Sequence, residues 1–126
     1  MRDDGIDVLG ALSNEDLTDE LLRAKVQVAS SLGGESFGMV LTRGLACALP
    51  VVASDIPGYR AVLEGEAGVL VPPGDAAALS AAVVDMLGDE EARQRRGVAA
   101  RALASDRYAW DGIARRLLDI YEEAAA

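Results

Sequence analysis

The sequence predicts an α/β fold in which a parallel sheet is flanked by helices. Short apolar segments at residues 26–29, 51–53 and 69–71 alternate with segments whose apolar residues recur every three or four positions. Strands that alternate with helices in this way are typical of units whose strands pair in parallel. Residues 51–53 are apolar at every position, as a central strand covered on both faces requires.

Capping residues and prolines set the boundaries of the predicted elements. Ser13 and Asp16 have the spacing of a capping box, and Asp75 and Asp89 are each placed to cap a helix. Residues 105–108 break the last helical pattern. The predicted elements, in order, are a short strand at 6–9, a helix at 14–25, a strand at 26–29, a helix at 38–48, a strand at 51–53, a short helix at 59–63, a strand at 69–71, helices after Asp75 (with Gly88 as its C-cap) and after Asp89, and a last helix at about 109–123.

Length and composition limit the possible functions. The chain has 126 residues, 51% of them hydrophobic, so we expect residues 1–126 to form a single domain. Its formal net charge of −9 disfavours nucleic-acid binding through a basic face. Histidine is absent and cannot act here as a general base or metal ligand. No apolar run approaches the roughly 20 residues that span a bilayer, and no signal peptide is expected at residues 1–4.

The candidate site lies between Ser30 and Pro57. Gly33 and Gly34 precede Glu35, and Gly38 stands at the predicted start of a helix. Glycines at such a turn let the backbone approach a ligand, and the free N–H groups of the helix favour anions. A carboxylate there is better suited to accept hydrogen bonds from hydroxyl groups, so the turn indicates a sugar phosphate or nucleotide sugar. A turn with no ligand is the alternative.

Other features allow both a functional and a structural interpretation. The single cysteine, Cys47, excludes an internal disulfide, indicates a reducing compartment, and is a nucleophile or a buried space-filling residue. Asp55, at the end of a strand, is a site residue or caps the next helix. The arginines at 93–96 are expected to form a solvated face, and Trp110 and Tyr121 to pack the last helix against the body.

A long ordered phrase resembles a known family. The run Gly34-Glu35-Ser36-Phe37-Gly38-Met39-Val40-Leu41, followed by Pro50-Val51-Val52-Ala53-Ser54-Asp55, resembles the donor-binding half of retaining glycosyltransferases of the GT-B fold. It is most similar to family 4 (glycosyl transferases group 1), which includes mannosyltransferases that act on phosphatidylinositol. The resemblance extends over roughly residues 6–123. It implies a partial Rossmann-like C-terminal domain of about three to four parallel strands, with the nucleotide sugar at their carboxyl ends.

The resemblance also implies roles for individual residues. Glu35 corresponds to the first glutamate of the family's E-x7-E signature and is the implied catalytic residue, contacting the hydroxyls of the donor sugar. The backbone of residues 37–39 lies against the sugar and diphosphate, with Val40 on the nucleoside side. The implied donor is a UDP- or GDP-sugar, with no cofactor and no bound metal. The implied donor-binding residues are Gly34, Glu35, Ser36, Phe37, Gly38, Met39, Val40 and Arg43.

The sequence departs from the family pattern in the same helix. Arg43 stands where the family has its second glutamate, which accepts hydrogen bonds from ribose. Arginine has no acceptor, so Arg43 either pairs with phosphate or turns to the surface. Gly44 replaces the usual alanine at a cost of roughly 1 kcal/mol in helix propensity. Ala48 replaces the usual glycine, which predicts a strained turn, because alanine accepts a positive φ poorly.

The resemblance covers only the donor half, and part of that half is missing. We therefore expect a truncated donor-binding domain of a hexosyltransferase that is inactive alone. We expect it to be cytoplasmic, with the full enzyme peripheral at a membrane, and to form a homodimer or associate with an acceptor domain. The alternative is a non-catalytic, self-associating interaction module of the same fold. A kinase-like phosphate binder is disfavoured because the chain has no Walker-type lysine motif.

Overall fold

The structure is a computed structural model that describes residues 2–3 and 5–126, with only the backbone described for Arg2 and Asp3. The expectation that residues 1–4 are not a signal peptide includes Met1 and Asp4, which lie outside the described residues. The α/β class with a parallel sheet flanked by helices is confirmed. The strands are β1 (Arg2–Asp3), β2 (Ile6–Asp7), β3 (Gln27–Ala29), β4 (Val51–Ser54) and β5 (Gly68–Val71), and the helices are α1 (Asn14–Arg23), α2 (Met39–Ala46), α3 (Pro57–Arg60), α4 (Ala76–Gly88), α5 (Glu90–Leu103) and α6 (Trp110–Ala125), with a 3₁₀ turn at Gly65–Ala67 and a π-helical segment at Ala104–Tyr108.

The main sheet has three parallel strands in the order β3-β4-β5. Val28 is aligned with Val52, and Val52 with Val69. Every residue of β4 is buried, as expected for the central strand, whereas in β5 only Val71 is fully buried. The strand predicted at 69–71 is therefore present as β5 but only partly buried, because β5 forms one edge of the sheet. The predicted strand at 6–9 is reduced to β2, which pairs with β1 in a separate antiparallel ribbon.

Helices cover both faces of the sheet, and β4 alternates between the two layers. Val51 and Ala53 belong to the larger core cluster, which includes Leu41 and Leu45 of α2. Val52 belongs to the cluster on the α4 side. Burying an aliphatic side chain of this size stabilises the fold by about 1.5–3 kcal/mol. The core is thus built around β4.

The predicted helix caps are present. The Ser13 Oγ accepts from the Asp16 N–H at 3.1 Å, while Asp75 and Asp89 each accept from the N–H three residues later at 2.9 Å. Gly88 is not a C-cap, because it is the last helical residue of α4. Asp89 is both the C-cap of α4 and the N-cap of α5. Helix α3 begins at Pro57, earlier than predicted, because proline is favoured in the first helical turn.

The arginines of α5 correct the expectation of a solvated face. Arg93 donates to the carbonyls of Met86 and Leu87 at 3.3 and 3.0 Å, at the end of α4. Arg96 donates to the Glu66 carbonyl at 3.0 Å. These two side chains are half-buried and satisfy free carbonyls, whereas the third arginine of the cluster is exposed.

Helix α6 lies largely outside the core. It contacts mainly the π-helical segment that precedes it. Trp110 is 80% exposed and Tyr121 is 60% exposed, so the expectation that they pack α6 against the body is wrong. The apolar face of α6 has no partner among the described residues that would bury it.

The turn after α2 is strained, as the sequence predicts. Ala48 has a φ of 57° and is the only non-glycine residue with a positive φ in the described part of the chain. The left-handed conformation costs an L-residue about 1–2 kcal/mol. The carbonyl of Ala48 lies under α5, where a Cβ added at Gly97 would be 2.5 Å from it. The turn is therefore packed closely against α5 at Gly97.

We expect Ala48→Gly to stabilise the chain by up to about 1 kcal/mol, because relief of the strain exceeds the extra entropy of glycine in the unfolded chain. Urea unfolding measures the change. Ala46→Gly is the matched control: Ala46 is exposed and helical, so this substitution should destabilise by about 1 kcal/mol. Equal losses in both variants would contradict the prediction.

Candidate functional site

The site is the turn that leaves the carboxyl end of β3 and enters α2 at Met39. Gly34 has a φ of +82°, a conformation that L side chains rarely adopt, so glycine is required there. Crevices at the carboxyl ends of parallel strands are the usual ligand sites of such sheets. The turn therefore occupies the position where this architecture binds ligands.

Glu35 is exposed, and its backbone is fixed while its side chain is free. A Cβ added at Gly58 would lie 2.2 Å from the Glu35 carbonyl oxygen, so the turn rests directly on α3. Among the described residues, no hydrogen bond or ion pair engages the Glu35 carboxylate. A fixed backbone with an uncommitted acceptor suits a ligand that carries hydroxyl groups.

Tyr59 holds the two ends of the turn together. Its side chain is 2% exposed, and its hydroxyl donates to the Ser31 Oγ at 3.0 Å. At the other end, a Cβ added at Gly38 would lie 2.8 Å from the Tyr59 ring. The buried Tyr59 ring thus packs against the turn, and glycine is required at position 38 because a side chain there would overlap the ring.

The start of α2 presents hydrogen-bond donors. The N–H groups of Met39 and Leu41 donate to the carbonyls of Phe37 and Gly38, each at 2.9 Å. The N–H of Val40 has no backbone acceptor within the described part of the chain. The unpaired N–H of Val40 and the positive end of the helix dipole favour an anion at this point.

Phe37 is anchored to a second aromatic residue. Its ring meets the Tyr108 ring edge-on, with 5.8 Å between the centroids. The Tyr108 hydroxyl donates to the Val62 carbonyl at 3.0 Å, and burial raises the pKa of Tyr108. The π-helical segment that carries Tyr108 therefore helps to position the turn.

The structure places most of the predicted residues together on one exposed surface. Gly38 is buried under the turn, while the side chains of Phe37, Met39 and Val40 are all about half or more exposed. The exposed members of the predicted set around the turn are Gly34, Glu35, Ser36, Phe37, Met39 and Val40.

Arg43 is directed elsewhere. It lies one turn further along α2, and its guanidinium donates to the Asn14 Oδ1 of α1 at 3.2 Å. Of the two interpretations of Arg43, this contact favours the surface one. The contact also gives the guanidinium a partner on α1 without any ligand.

Asp55 and Cys47 lie outside the turn. Asp55 pairs with Arg60 at 2.8 Å, and this hydrogen bond and its charge raise the pKa of Arg60. Ile56, not Asp55, is the N-cap of α3, so the expected capping role of Asp55 is wrong. Cys47 is half-buried at the end of α2.

Sequence reasoning missed the residues that support the turn. Gly58 and Tyr59 follow Pro57 at the start of a short helix, and this Pro-Gly-Tyr sequence was the available signal. A glycine inside a helix that is not a cap indicates a close approach of another backbone.

Gly44 also has a packing role, which corrects the view that it only lowers helix propensity. The Gln27 Nε2 donates to the Val40 carbonyl at 2.8 Å, which places the Gln27 Oε1 against α2. A Cβ at position 44 would lie 1.9 Å from that oxygen. Glycine at 44 therefore leaves room for the side chain that joins β3 to the first turn of α2.

Two further features concern metals and membranes. No cluster of three or more His, Cys, Asp or Glu side chains placed to hold a metal ion is found in the described part of the chain. Among the same residues, no helix has the length and apolar character needed to cross a membrane.

Comparison with known proteins gives the same family throughout. Residues 1–89 match the family model described as glycosyl transferases group 1. The phosphatidyl-myo-inositol mannosyltransferase of Mycobacterium leprae is 43% identical over 118 residues, covering 93% of this chain and 31% of that protein. The D-inositol 3-phosphate glycosyltransferase of Xylanimonas cellulosilytica is 41% identical over 103 residues, covering 81% and 24%. The chain thus spans about a third of the length of the first of these relatives and a quarter of the second.

Solved structures agree with these matches. Sucrose-phosphate synthase from Thermosynechococcus elongatus has a TM-score of 0.83 and 33% identity, covering 94% of this chain and 30% of that one. Anabaena HepE in complex with UDP has a TM-score of 0.77 over 82% of this chain and 29% of that one, and its 23% identity shows the fold alone. These neighbours confirm the expected GT-B type of α/β fold. The chain belongs to the glycosyl transferases group 1 family.

Proposed function

We propose that this chain binds the nucleotide-sugar donor of a retaining glycosyltransferase through the turn from Gly34 to Val40. The observation that carries the proposal is the Glu35 carboxylate, which is exposed and uncommitted immediately before the start of α2. Glu35 accepts hydrogen bonds from the sugar hydroxyls. The unpaired N–H of Val40 and the positive end of the α2 dipole bind the diphosphate.

The relatives and neighbours support this choice of ligand. The relatives from Mycobacterium leprae and Mycolicibacterium smegmatis are mannosyltransferases, and the HepE structures hold UDP or UDP-glucose. In a hexosyl transfer, such a turn positions the donor and stabilises the negative charge on the leaving diphosphate. We therefore propose a UDP- or GDP-hexose as the donor, in the cytoplasm. Because the chain spans 31% of the length of the mannosyltransferase, we propose that it does not transfer the sugar alone.

Ligand-observed NMR on the purified chain tests the proposal. The panel contains UDP-glucose, UDP-galactose and GDP-mannose, with glucose and uridine as the two parts that lack the diphosphate. We expect saturable binding of at least one nucleotide sugar and much weaker binding of glucose or uridine. No binding of any nucleotide sugar would overturn the proposal, and turnover by this chain alone would overturn the statement about inactivity.

A second candidate function, self-association, is favoured by α6. The exposed apolar side chains on this helix include Trp110, Leu117, Ile120 and Tyr121. We propose that two copies bury these faces against each other. Sedimentation equilibrium between about 5 and 100 µM should give a mass above that of the monomer, and Leu117→Asp should return it to the monomer. A monomeric mass across the whole range would contradict self-association.

A further inference from the structure

A cavity of about 160 Å³ opens at the carboxyl edge of the sheet, on the face covered by α4. The ends of the three parallel strands and the first turn of α4 surround it. Of the turn that carries Glu35, only Ser30 at its start lines the cavity. The residues used below are Ser30, Ser54, Val71, Pro72, Asp75 and Leu79, all of which line the cavity.

Ser54 is a buried polar residue whose side chain has no partner. The residue is 3% exposed and lines the cavity, and its Oγ is not one of the fully enclosed side-chain atoms without a partner in the described part of the chain. The hydroxyl is therefore open to the cavity and able to donate to or accept from a ligand there. Since Ser54 lines the cavity, a ligand there is placed to satisfy it.

The charge around the cavity disfavours an anion. The helix terminus alone would favour one, but Asp75 caps α4 by accepting from the Ala78 N–H at 2.9 Å, and its carboxylate also lines the cavity. The net charge of −9 acts in the same direction. A carboxylate beside serine hydroxyls offers acceptors and donors to a neutral ligand that carries hydroxyl groups.

The apolar walls and the volume of the cavity suit a ligand that contains a six-membered ring. Val71, Pro72 and Leu79 supply apolar surface against which the C–H face of a ring can pack. A cavity of about 150 Å³ accommodates a six-membered ring. A hydroxylated ring combines an apolar face with an edge of donors and acceptors, which is the combination that these residues present.

We propose that this cavity binds a neutral, polyhydroxylated six-membered ring, of the monosaccharide or cyclitol class, with Ser54 and Asp75 as its polar contacts. None of the residues from Gly34 to Val40 lines this cavity. Its nearest link to the donor turn is the loop after β3: Ser30 lines the cavity, and Leu32 approaches Gly74, where an added Cβ would be 3.6 Å from the Leu32 side chain.

Titration of the ¹⁵N-labelled chain tests the proposal. The probes are methyl α-D-mannopyranoside, myo-inositol and inorganic phosphate. We expect one of the two ring compounds to shift the amide signals of Ser54 and Ala76 in a saturable way at millimolar concentrations, and phosphate not to do so. Ser54→Ala should weaken binding roughly five- to tenfold, the contribution of one neutral hydrogen bond. Leu79→Phe, which fills the cavity, should abolish it.

Two control variants distinguish binding in this cavity from binding elsewhere on the chain. The amide spectra also show whether each variant is folded. Ser80→Ala removes an exposed hydroxyl one residue beyond Leu79 and should leave binding unchanged, as should Glu35→Ala at the donor turn. The proposal is overturned if neither ring compound gives saturable shifts, if phosphate binds in their place, or if Glu35→Ala abolishes the shifts while Ser54→Ala preserves them.

Discussion

Gly58→Ala is expected to destabilise the chain by about 2–3 kcal/mol and to abolish donor binding, although Gly58 itself makes no predicted ligand contact. The added Cβ would lie 2.2 Å from the carbonyl oxygen of Glu35 and 2.8 Å from its carbonyl carbon. Both atoms belong to the backbone, so no side-chain rotation relieves the overlap. Either α3 or the turn has to move, and overpacking of this kind costs typically 1–3 kcal/mol. Because α3 is anchored by the buried Tyr59, the turn is the part expected to move.

Thermal unfolding and donor titration together measure this effect. We expect the Tm to fall by roughly 5–10 °C. Gly88→Ala is the matched control, because Gly88 is also helical but a Cβ there meets nothing within 4 Å. That control should gain up to about 1 kcal/mol from helix propensity and bind the donor normally. Wild-type donor affinity in Gly58→Ala would show that the contact with α3 does not position Glu35.

The order of elements and the central strand could be predicted from the sequence because they depend on local patterns. Residues 51–53 are apolar at every position, and the only arrangement that buries both faces of such a strand is the middle of a sheet with helices on each side. The caps at Ser13, Asp75 and Asp89 were equally local. The strain at Ala48 was predicted in another way, from the resemblance, because the family usually has glycine at that position.

The support of the site could not be predicted, because it consists of contacts between segments distant in sequence. Nothing local to Gly58 indicates that Glu35 rests on it, and nothing local to Gly44 indicates the Gln27 side chain. The apolar stripe of α6 predicted burial, but a helix is buried only where another surface meets it, and Tyr121 is exposed. The spacing of apolar residues predicts which face of a helix is apolar, but it does not predict which surface will cover that face.

The family resemblance identified the turn, but its two glutamate positions differ in how far the structure supports them. Glu35 is exposed with an uncommitted carboxylate, as a hydroxyl-binding role requires. Arg43 lies one turn further along α2 and donates to Asn14 of α1. The ribose contact expected of a second glutamate therefore has no equivalent at position 43. Donor recognition should depend more heavily on Glu35 and on the start of α2.

Glu35→Gln is consequently expected to weaken binding of the nucleotide sugar by roughly 10- to 100-fold while changing the affinity for the nucleoside diphosphate less than threefold. The substitution preserves shape and removes the charge, and hydrogen bonds to a charged acceptor contribute about 1.5–3 kcal/mol. In the proposed binding mode those bonds are made to the sugar, whereas the diphosphate is bound by the unpaired N–H of Val40 and the positive end of the α2 dipole. The ratio of the two affinities is therefore the informative quantity, because a general distortion of the turn would lower both together.

Isothermal titration with the best donor of the panel and with its nucleoside diphosphate gives that ratio. Glu66→Gln is the matched control, an exposed glutamate in the 3₁₀ turn before β5, and it should leave both affinities unchanged. Equal losses for the two ligands in Glu35→Gln would place the carboxylate in the support of the turn. An unchanged donor affinity would show that Glu35 does not bind the donor. The sugar would then have to be bound by the backbone from Phe37 to Met39. The proposed outcome, loss of the sugar-dependent part alone, follows only if the carboxylate contacts the hydroxyls directly.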